Sequence, residues 1–267
     1  NAPEYQWDTV ALLHGIWKEE TVELQGQRFI VAGTWARGDG TRGLNEPVMA
    51  PSSFAPYAYR IFAEVDSSRP WMDLVDSTYG VLYAIRTSPY FGGPQGLIPT
   101  YFKLDSATAM PRLVGATIPG ADAFTVDAAQ VLTRLTIDYL WSHDDRARKA
   151  IRGLNLPRKR MQPIGPQLGG LSVAYGLDGS TIDRSESITM YATVVPSLVV
   201  TDDVNLDFSQ RVYSERVLRG YTEGNGQTYW GGDPDDLQAQ LSSWFACATM
   251  DGSIANLWAG EQTIDWT

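Results

Sequence analysis

The chain has almost no cysteine and almost no histidine. Cys247 stands alone among 267 residues, so no internal disulfide can form and no cysteine-based metal centre can assemble. His14 and His143 are the only histidines, which leaves no basis for a histidine-rich metal site. Positive charge is scarce as well: 21 Lys+Arg face 31 Asp+Glu, a formal charge of −10. Without a basic excess to displace counterions, a nucleic-acid backbone binder is excluded. No window comes near the roughly 18 uninterrupted apolar residues of a membrane span. A phosphate-cradling glycine loop, a Gly-x-Ser-x-Gly elbow and a His-Glu-x-x-His run are all missing. No metal and no cofactor is expected. The opening Asn1-Ala2-Pro3-Glu4 lacks Met, a charged n-region and an apolar h-region, and reads as the start of a mature, processed or truncated product.

What the chain does have is aromatic surface. Nine Trp and thirteen Tyr accompany a hydrophobic fraction of 43 %, enough for a real core. Two readings stay open. The rings pack the core and cap the surface, or they form a carbohydrate groove, where sugar faces stack on indole and phenol and sugar hydroxyls bond to carboxylates and amides.

The apolar spacing is mostly helical. Helices are expected over Tyr5–Glu19, Pro56–Val65 with proline in its first turn, Trp71–Arg86, Phe124–Trp141, Asp144–Gly153, Ser185–Val195, Asn205–Val217 and Pro234–Met250. Val22, Leu24, Phe29 and Val31 suit a short extended pair around Gln25-Gly26. Arg37–Pro51, Ser88–Ala123 and Leu156–Gly179 read as long Gly/Pro-rich loops, and loops of that length are often functional. No internal repeat, low-complexity stretch or linker divides the chain, so residues 1–267 are expected to form one domain. Helix pairs with long loops at one rim are what an α/α barrel requires.

Glycosidic hydrolysis needs two carboxyl groups, one to protonate the leaving oxygen and one to activate water or attack. Asp127 is the foremost candidate. It opens an apolar helix after a loop, where backbone N–H groups and the positive end of the helix dipole meet a carboxylate. Ordinary first-turn capping is the plainer role for such an Asp. Arg134 and Asp138 lie one turn apart and read as an i,i+4 ion pair. Glu64, Asp66, Asp73 and Asp76 read as solvated helix faces, Asp144-Asp145 as a helix start, and His14 as a satisfied core histidine. His143 sits in a turn. Glu223, in Tyr221-Thr222-Glu223-Gly224-Asn225-Gly226, is an acid candidate that equally reads as a solvated glutamate in a flexible polar loop.

Several segments, in order, resemble glycoside hydrolase family 8. Pro51-Ser52-Ser53-Phe54-Ala55-Pro56 with Tyr59-Arg60 is similar to that family's Asn-Pro-Ser-Tyr-Phe…Pro…Tyr-Arg run. Ile16-Trp17, Val22-Glu23-Leu24 and Gly33-Thr34-Trp35 resemble the segment before it. Trp71-Met72-Asp73-Leu74 with Asp76-Ser77-Thr78-Tyr79 resembles the helix after it. Gly96-Leu97-Ile98-Pro99-Thr100-Tyr101 looks like the Gly-Leu-Val-Pro-Asp-Trp loop. Asp127-Ala128-Ala129, followed by Arg134, Asp138, Tyr139 and Trp141, matches the helix that opens with the family's base. Tyr229-Trp230 with Leu237 and Leu241 looks like the paired-aromatic start of its last helix. The similarity runs from about residue 5 to 250.

The resemblance implies an all-α, (α/α)6-barrel-like toroid that hydrolyses β-1,4-linked glucan, xylan or chitosan with inversion. Asp127 then matches the water-activating general base. Trp35, Tyr101, Tyr229 and Trp230 fall where the family stacks sugar rings, and Ser53, Gln130 and Arg134 fall among its substrate-binding positions. Departures stand beside the matches: Gln130 replaces an Arg, Leu132 a Pro, Ser53 a Tyr and Thr100 an Asp. They fit altered specificity or weakened catalysis. The family's Ser-Glu-Gly-x-Gly-Tyr segment, which holds the general acid, and its Ala-Thr-Asp-Gly-Asp-like segment have no match in order here. Thr222-Glu223-Gly224-Asn225-Gly226 resembles the first, but at the other end of the chain. The toroid is therefore expected to be incomplete. An N-terminal fragment of the same precursor, or a second subunit, is expected to cover the apolar flanks that water penalises at about 25 cal/mol per Å2. The expected function is endo-acting cleavage of a cellulose-like polysaccharide by a secreted or periplasmic protein. The alternatives are a catalytically idle glycan-binding or polysaccharide-assembly protein on the same scaffold, and an unrelated helical interaction protein whose aromatics are all core.

Overall fold

The computed structural model describes residues 3–91, 95–201, 206–224 and 227–256. Nine α-helices occur among the described residues: α1 (Pro3–Glu19), α2 (Pro56–Val65), α3 (Met72–Thr87), α4 (Val126–Ser142), α5 (Asp145–Gly153), α6 (Leu156–Met161), α7 (Ile188–Val194), α8 (Leu206–Val212) and α9 (Leu237–Met250). Short strands lie between them: β1 (Thr21–Leu24), β2 (Gln27–Ile30), β3 (Val48–Met49), β4 (Phe102–Leu104), β5 (Pro111–Leu113), β6 (Ala123–Thr125), β7 (Pro163–Ile164), β8 (Gln167–Leu168), β9 (Ala174–Gly176), β10 (Thr181–Asp183), β11 (Tyr221–Gly224) and β12 (Gln227–Trp230). The all-α expectation is thereby corrected. The fold is mostly helical, with small antiparallel sheets built into its connections. All three stretches read as loops contribute strands, and the last also holds α6. Elements of two or three residues carry no measurable alternation.

The helices start where local chemistry starts them. Pro56 sits in the first turn of α2, its ring pre-set for helical φ. Asp144 caps α5 by accepting from the Arg146 N–H at 2.9 Å, and Asp236 caps α9 by accepting from Ala239 at 3.0 Å. The hairpin β1–β2 turns at Gln25 and Gly26, both with positive φ (52° and 74°), as a tight two-residue turn requires. The expected helix over Ser185–Val195 is shorter, Ile188–Val194, and continues as a 3-10 segment, Val195–Val200, that contains Pro196. The helix expected over Asn205–Val217 is α8 followed by a π-turn, Tyr213–Val217; Asn205 lies outside the described residues.

Two layers result. Helices α2, α4, α7 and α9 pack side by side in that order, while α3 lies on α2, α5 lies on α4, and α3 meets α5. Helices α2 and α4 point the same way, as do α3 and α5. Tyr57 and Arg60 of α2 meet Arg134 and Asp138 of α4, and Asp76 and Arg86 of α3 meet Arg146 and Gly153 of α5. One hydrophobic cluster runs through both layers, from Leu13 to Ala246. Its largest fully buried side chain is Trp71, packed edge-on between Trp17 (4.9 Å) and Phe62 (5.1 Å). The Trp71 Nε1–H donates to Asp66 Oδ2 at 3.2 Å. Asp66 is therefore buried, not solvated: besides Trp71 it accepts from Ser68 and Arg69, because an indole N–H inside a core needs an acceptor. His14 is corrected in the other direction, since it lies exposed on α1. Among the described residues no helix is long and apolar enough to cross a membrane.

Candidate active site

Helix α4 carries two carboxylates in opposite environments. Asp138, deep in the helix, is fully buried. The expected Arg134–Asp138 pair does not form. Asp138 instead accepts from Arg60 Nε at 2.9 Å and from the Tyr79 hydroxyl at 2.5 Å, both on neighbouring helices. Arg60 also reaches Asp144 Oδ2 at 2.6 Å, and Arg146 bridges Asp144 to Asp76. Burial pushes the Asp144 carboxyl up, but hydrogen bonds from Arg146 and Arg60 outweigh it and hold the pKa at about 2. Burial and the adjacent Asp138 charge raise the Tyr79 phenol, so it stays a neutral donor. This network locks α2, α3, α4 and α5 together.

Asp127, at the other end of α4, is exposed in the first turn. Among the described residues its carboxylate has no hydrogen-bond or ion-pair partner. The preceding Thr125 is extended and does not cap the helix. Its hydroxyl is spent on Thr100: Thr100 Oγ1 donates to the Ala123 carbonyl at 2.8 Å, leaving the Thr125 hydroxyl to donate to Thr100 Oγ1 at 2.8 Å. The first turn of α4 thus has no side-chain cap from Thr125, and Asp127 is its acidic residue.

That threonine pair also positions an aromatic. The Thr100 N–H donates to Ala123 and the Tyr101 N–H to Ala121, which sets Tyr101 alongside the strand leading into α4. Gly96, at the start of the same loop, packs on the end of α5: its φ is +63°, and a Cβ there would lie 2.5 Å from the Gly153 carbonyl oxygen. Tyr101 meets Trp35 edge-to-face at 6.0 Å, and the Arg42 guanidinium lies 5.6 Å from the centre of the Trp35 ring. Thr100, which stands where the resemblance expects an acid, is a structural tether here. Ser53 sits in a 3-10 turn, Pro51–Ser53, packed on α4, and its carbonyl accepts from the Tyr59 hydroxyl at 2.8 Å.

Gln130 and Arg134 follow Asp127 on the same stripe of α4, at i+3 and i+7. Both line a groove of about 610 Å3 between α2, α4, α7 and α9. Arg134 Nη1 points at the Tyr57 hydroxyl (3.4 Å), and Leu237, Leu241 and Phe245 form the α9 wall. Asp127 stands one turn beyond the groove's end rather than in its lining. Tyr57 was not singled out from sequence, although it lies inside the quoted Pro56…Arg60 run. It lines the groove and packs edge-on against Trp141 at 5.4 Å.

Tyr229 and Trp230 lie on β12, paired with β11 as a hairpin. Gln240 straps that hairpin to α9, accepting from the Trp230 N–H at 2.9 Å and donating to its carbonyl at 2.8 Å. The two rings are therefore placed by α9, apart from the Trp35–Tyr101 pair. Glu223 falls on strand β11 rather than in a flexible loop; its side chain, like Asn225 and Gly226, lies outside the described residues. Among the described residues no group of three His, Cys, Asp or Glu could hold a metal ion.

No family model matches this chain. Endoglucanase A of Acetivibrio thermocellus is 23 % identical over 199 residues, covering 74 % of this chain and 38 % of that protein. Endoglucanase C of Ruminiclostridium cellulolyticum is 24 % identical over 206 residues, 76 % of this chain and 40 % of that protein. Among solved structures, the apo β-1,3-1,4-glucanase from Paenibacillus sp. X4 superposes with a TM-score of 0.70 at 17 % identity, over 92 % of this chain and 59 % of that one. Endoglucanase Cel10 of Klebsiella pneumoniae, titled a family 8 glycosyl hydrolase, superposes at 0.58 with 13 % identity, over 92 % and 65 %. The chain thus spans about two fifths of the relatives' length and about three fifths of the solved structures'. At these identities the likeness establishes the architecture: the chain has a family-8-like (α/α)-barrel glycoside-hydrolase fold, as part of a helical toroid.

Proposed function

We propose that this chain is the larger part of a single catalytic domain that hydrolyses a β-1,4-linked glucan from within the polymer, with inversion. The reading rests on Asp127. An exposed, unpaired carboxylate at a helix start, on the stripe that leads through Gln130 and Arg134 into a groove, is the candidate to take a proton from water. Trp35 and Tyr101, tethered to the same helix start, offer ring faces for sugar stacking, and Tyr229 and Trp230 offer a second set. Endoglucanases among the sequence relatives support the reaction class.

Inversion needs a second carboxyl roughly 6.5–9.5 Å away to protonate the leaving oxygen. We assign that acid to a further segment, with Glu223 as the alternative within this chain. The same segment, from the precursor or a second subunit, covers the flanks where Tyr5 and Trp7 of α1 and Leu237, Leu241 and Trp244 of α9 are exposed. Native mass spectrometry then shows association, and a stable 29.5 kDa monomer counts against it. A polymeric glycan lies outside the cell, so the reading carries a secreted or periplasmic location with it.

Release of reducing ends from carboxymethylcellulose tests the function. With the acid-bearing segment present, Asp127→Asn removes about 10²–10⁴-fold of the activity; unchanged activity overturns the assignment. One observation favours a second reading. Asp127 lies outside the lining of the groove, and an amide, Gln130, stands in that lining. A catalytically idle glycan-binding protein would show saturable oligosaccharide binding with no product under the same conditions.

A further inference from the structure

A second groove lies between α3 and α5, in the layer away from Asp127. It encloses about 370 Å3. Its floor is apolar, formed by Leu82, Ala150 and Leu154, and its wall is aromatic. Tyr83 is 62 % exposed, with the Arg86 guanidinium 5.4 Å from its ring centre. Gly80 stands one turn before it, and no heavy atom comes within 4 Å of the place a Cβ would take, so the helix leaves a bare notch beside the Tyr83 ring.

The charge at this groove runs against that of the molecule. In a chain of net charge −10, three cations, Arg86, Arg146 and Lys149, and a single carboxylate, Asp76, line one cavity. Arg146 is satisfied, bonded to Asp76 at 2.7 Å and to Asp144 at 2.8 Å. Among the described residues neither Arg86 nor Lys149 has a carboxylate partner. Two cations beside an open phenol ring and a small cavity form a complementary surface for one flat-faced, singly anionic ring. A peptide helix would need a stripe of apolar pockets repeating at three and four residues. This cavity is at the small end of ligand sites and offers one open ring and one notch.

We propose that the α3–α5 groove binds a carboxylate-bearing sugar ring, a uronic acid, as a surface site separate from the Asp127 region. The ring lies on Tyr83 over the Gly80 notch, and its carboxylate meets Lys149 and Arg86. On a polymer carrying occasional uronate branches, such a site would hold the chain close and raise its effective concentration at the protein. The inference does not depend on whether Asp127 cleaves anything, because binding is read without turnover.

The test is an amide-resolved NMR titration of the full chain with sodium glucuronate, with glucose and a short glutamate-rich peptide as comparison ligands. Glucuronate is expected to shift α3 and α5 amides with a Kd of about 1 mM, to weaken as salt is raised, and to outbind glucose by about tenfold. Tyr83→Ala and Lys149→Gln each weaken binding about tenfold. Both positions are solvent-exposed, and unchanged thermal unfolding confirms that the variants fold. Equal binding of glucose and glucuronate overturns the proposal, as does the absence of shifts in α3 and α5 or unaltered affinity in both variants. Tighter binding of the acidic peptide at the same amides overturns it too, and assigns the groove to a protein partner.

Discussion

Asp127 and Asp138 sit eleven residues apart on one helix and teach opposite lessons. Asp138 is fully buried and surrounded by the Arg60 guanidinium and the Tyr79 hydroxyl. Asp127 is exposed and, among the described residues, its carboxylate has no partner. A saturated carboxylate is committed to structure, because any change in its charge leaves its donors unsatisfied in a low dielectric. A carboxylate left unsaturated at a helix start is free of that commitment. Helix α4 thus carries one carboxylate committed to packing and one left exposed along its length.

The sharpest way to break this comparison is Asp138→Ala. It strands the Arg60 guanidinium and the Tyr79 hydroxyl, and unfolding stability is expected to fall by about 3–5 kcal/mol, read by urea denaturation. Acid titration comes next. Asp144 has a folded pKa of about 2 against an ordinary 3.8. Its contribution is complete above the unfolded value and is lost as pH falls through the folded one. About 2 kcal/mol of stability is expected to disappear between roughly pH 4 and pH 2, and Asp144→Asn should flatten that part of the curve. Thr100→Val removes the hydroxyl that ties the Tyr101 loop to Thr125. It is expected to cost about 1 kcal/mol and to broaden the Tyr101 ring signals. Smallest of all, Asp127→Asn should move stability by no more than about 0.5 kcal/mol, while the activity proposed for the chain together with its acid-bearing segment is lost. A large loss of stability there would erase the contrast.

The long helices could be read along the chain because their signals are local. Apolar residues recur at helical spacing, Pro56 starts α2, and Asp144 caps α5 two residues from its donor. The hairpin at Gln25-Gly26 was legible for the same reason. The ion pairing was not. Arg60 and Asp138 are 78 positions apart, and the nearer candidate, Arg134, turns to Tyr57 instead. Likewise Asp66 looks like any exposed acid until the Trp71 indole is found against it. The strands escaped notice because β3, β7 and β8 hold two residues each, and their pairing partners decide them. Asp127's helix-start position was legible, but its freedom from partners was not. Nor was the spending of Thr125 on Thr100 visible, since a threonine before a helix reads as a cap.

What the residues determined by themselves is the set of elements with short-range causes: helix periodicity, proline starts, aspartate caps, a glycine-assisted turn, and an acidic, aromatic-rich composition with a single cysteine. Tertiary structure alone decided which charges are neutralised, which aromatic rings face one another, and which helix faces are left to form grooves. The reason is physical. A backbone hydrogen bond or a cap is settled within a few residues, whereas burial and pairing are settled by whatever the fold brings alongside, and no local pattern records that neighbour.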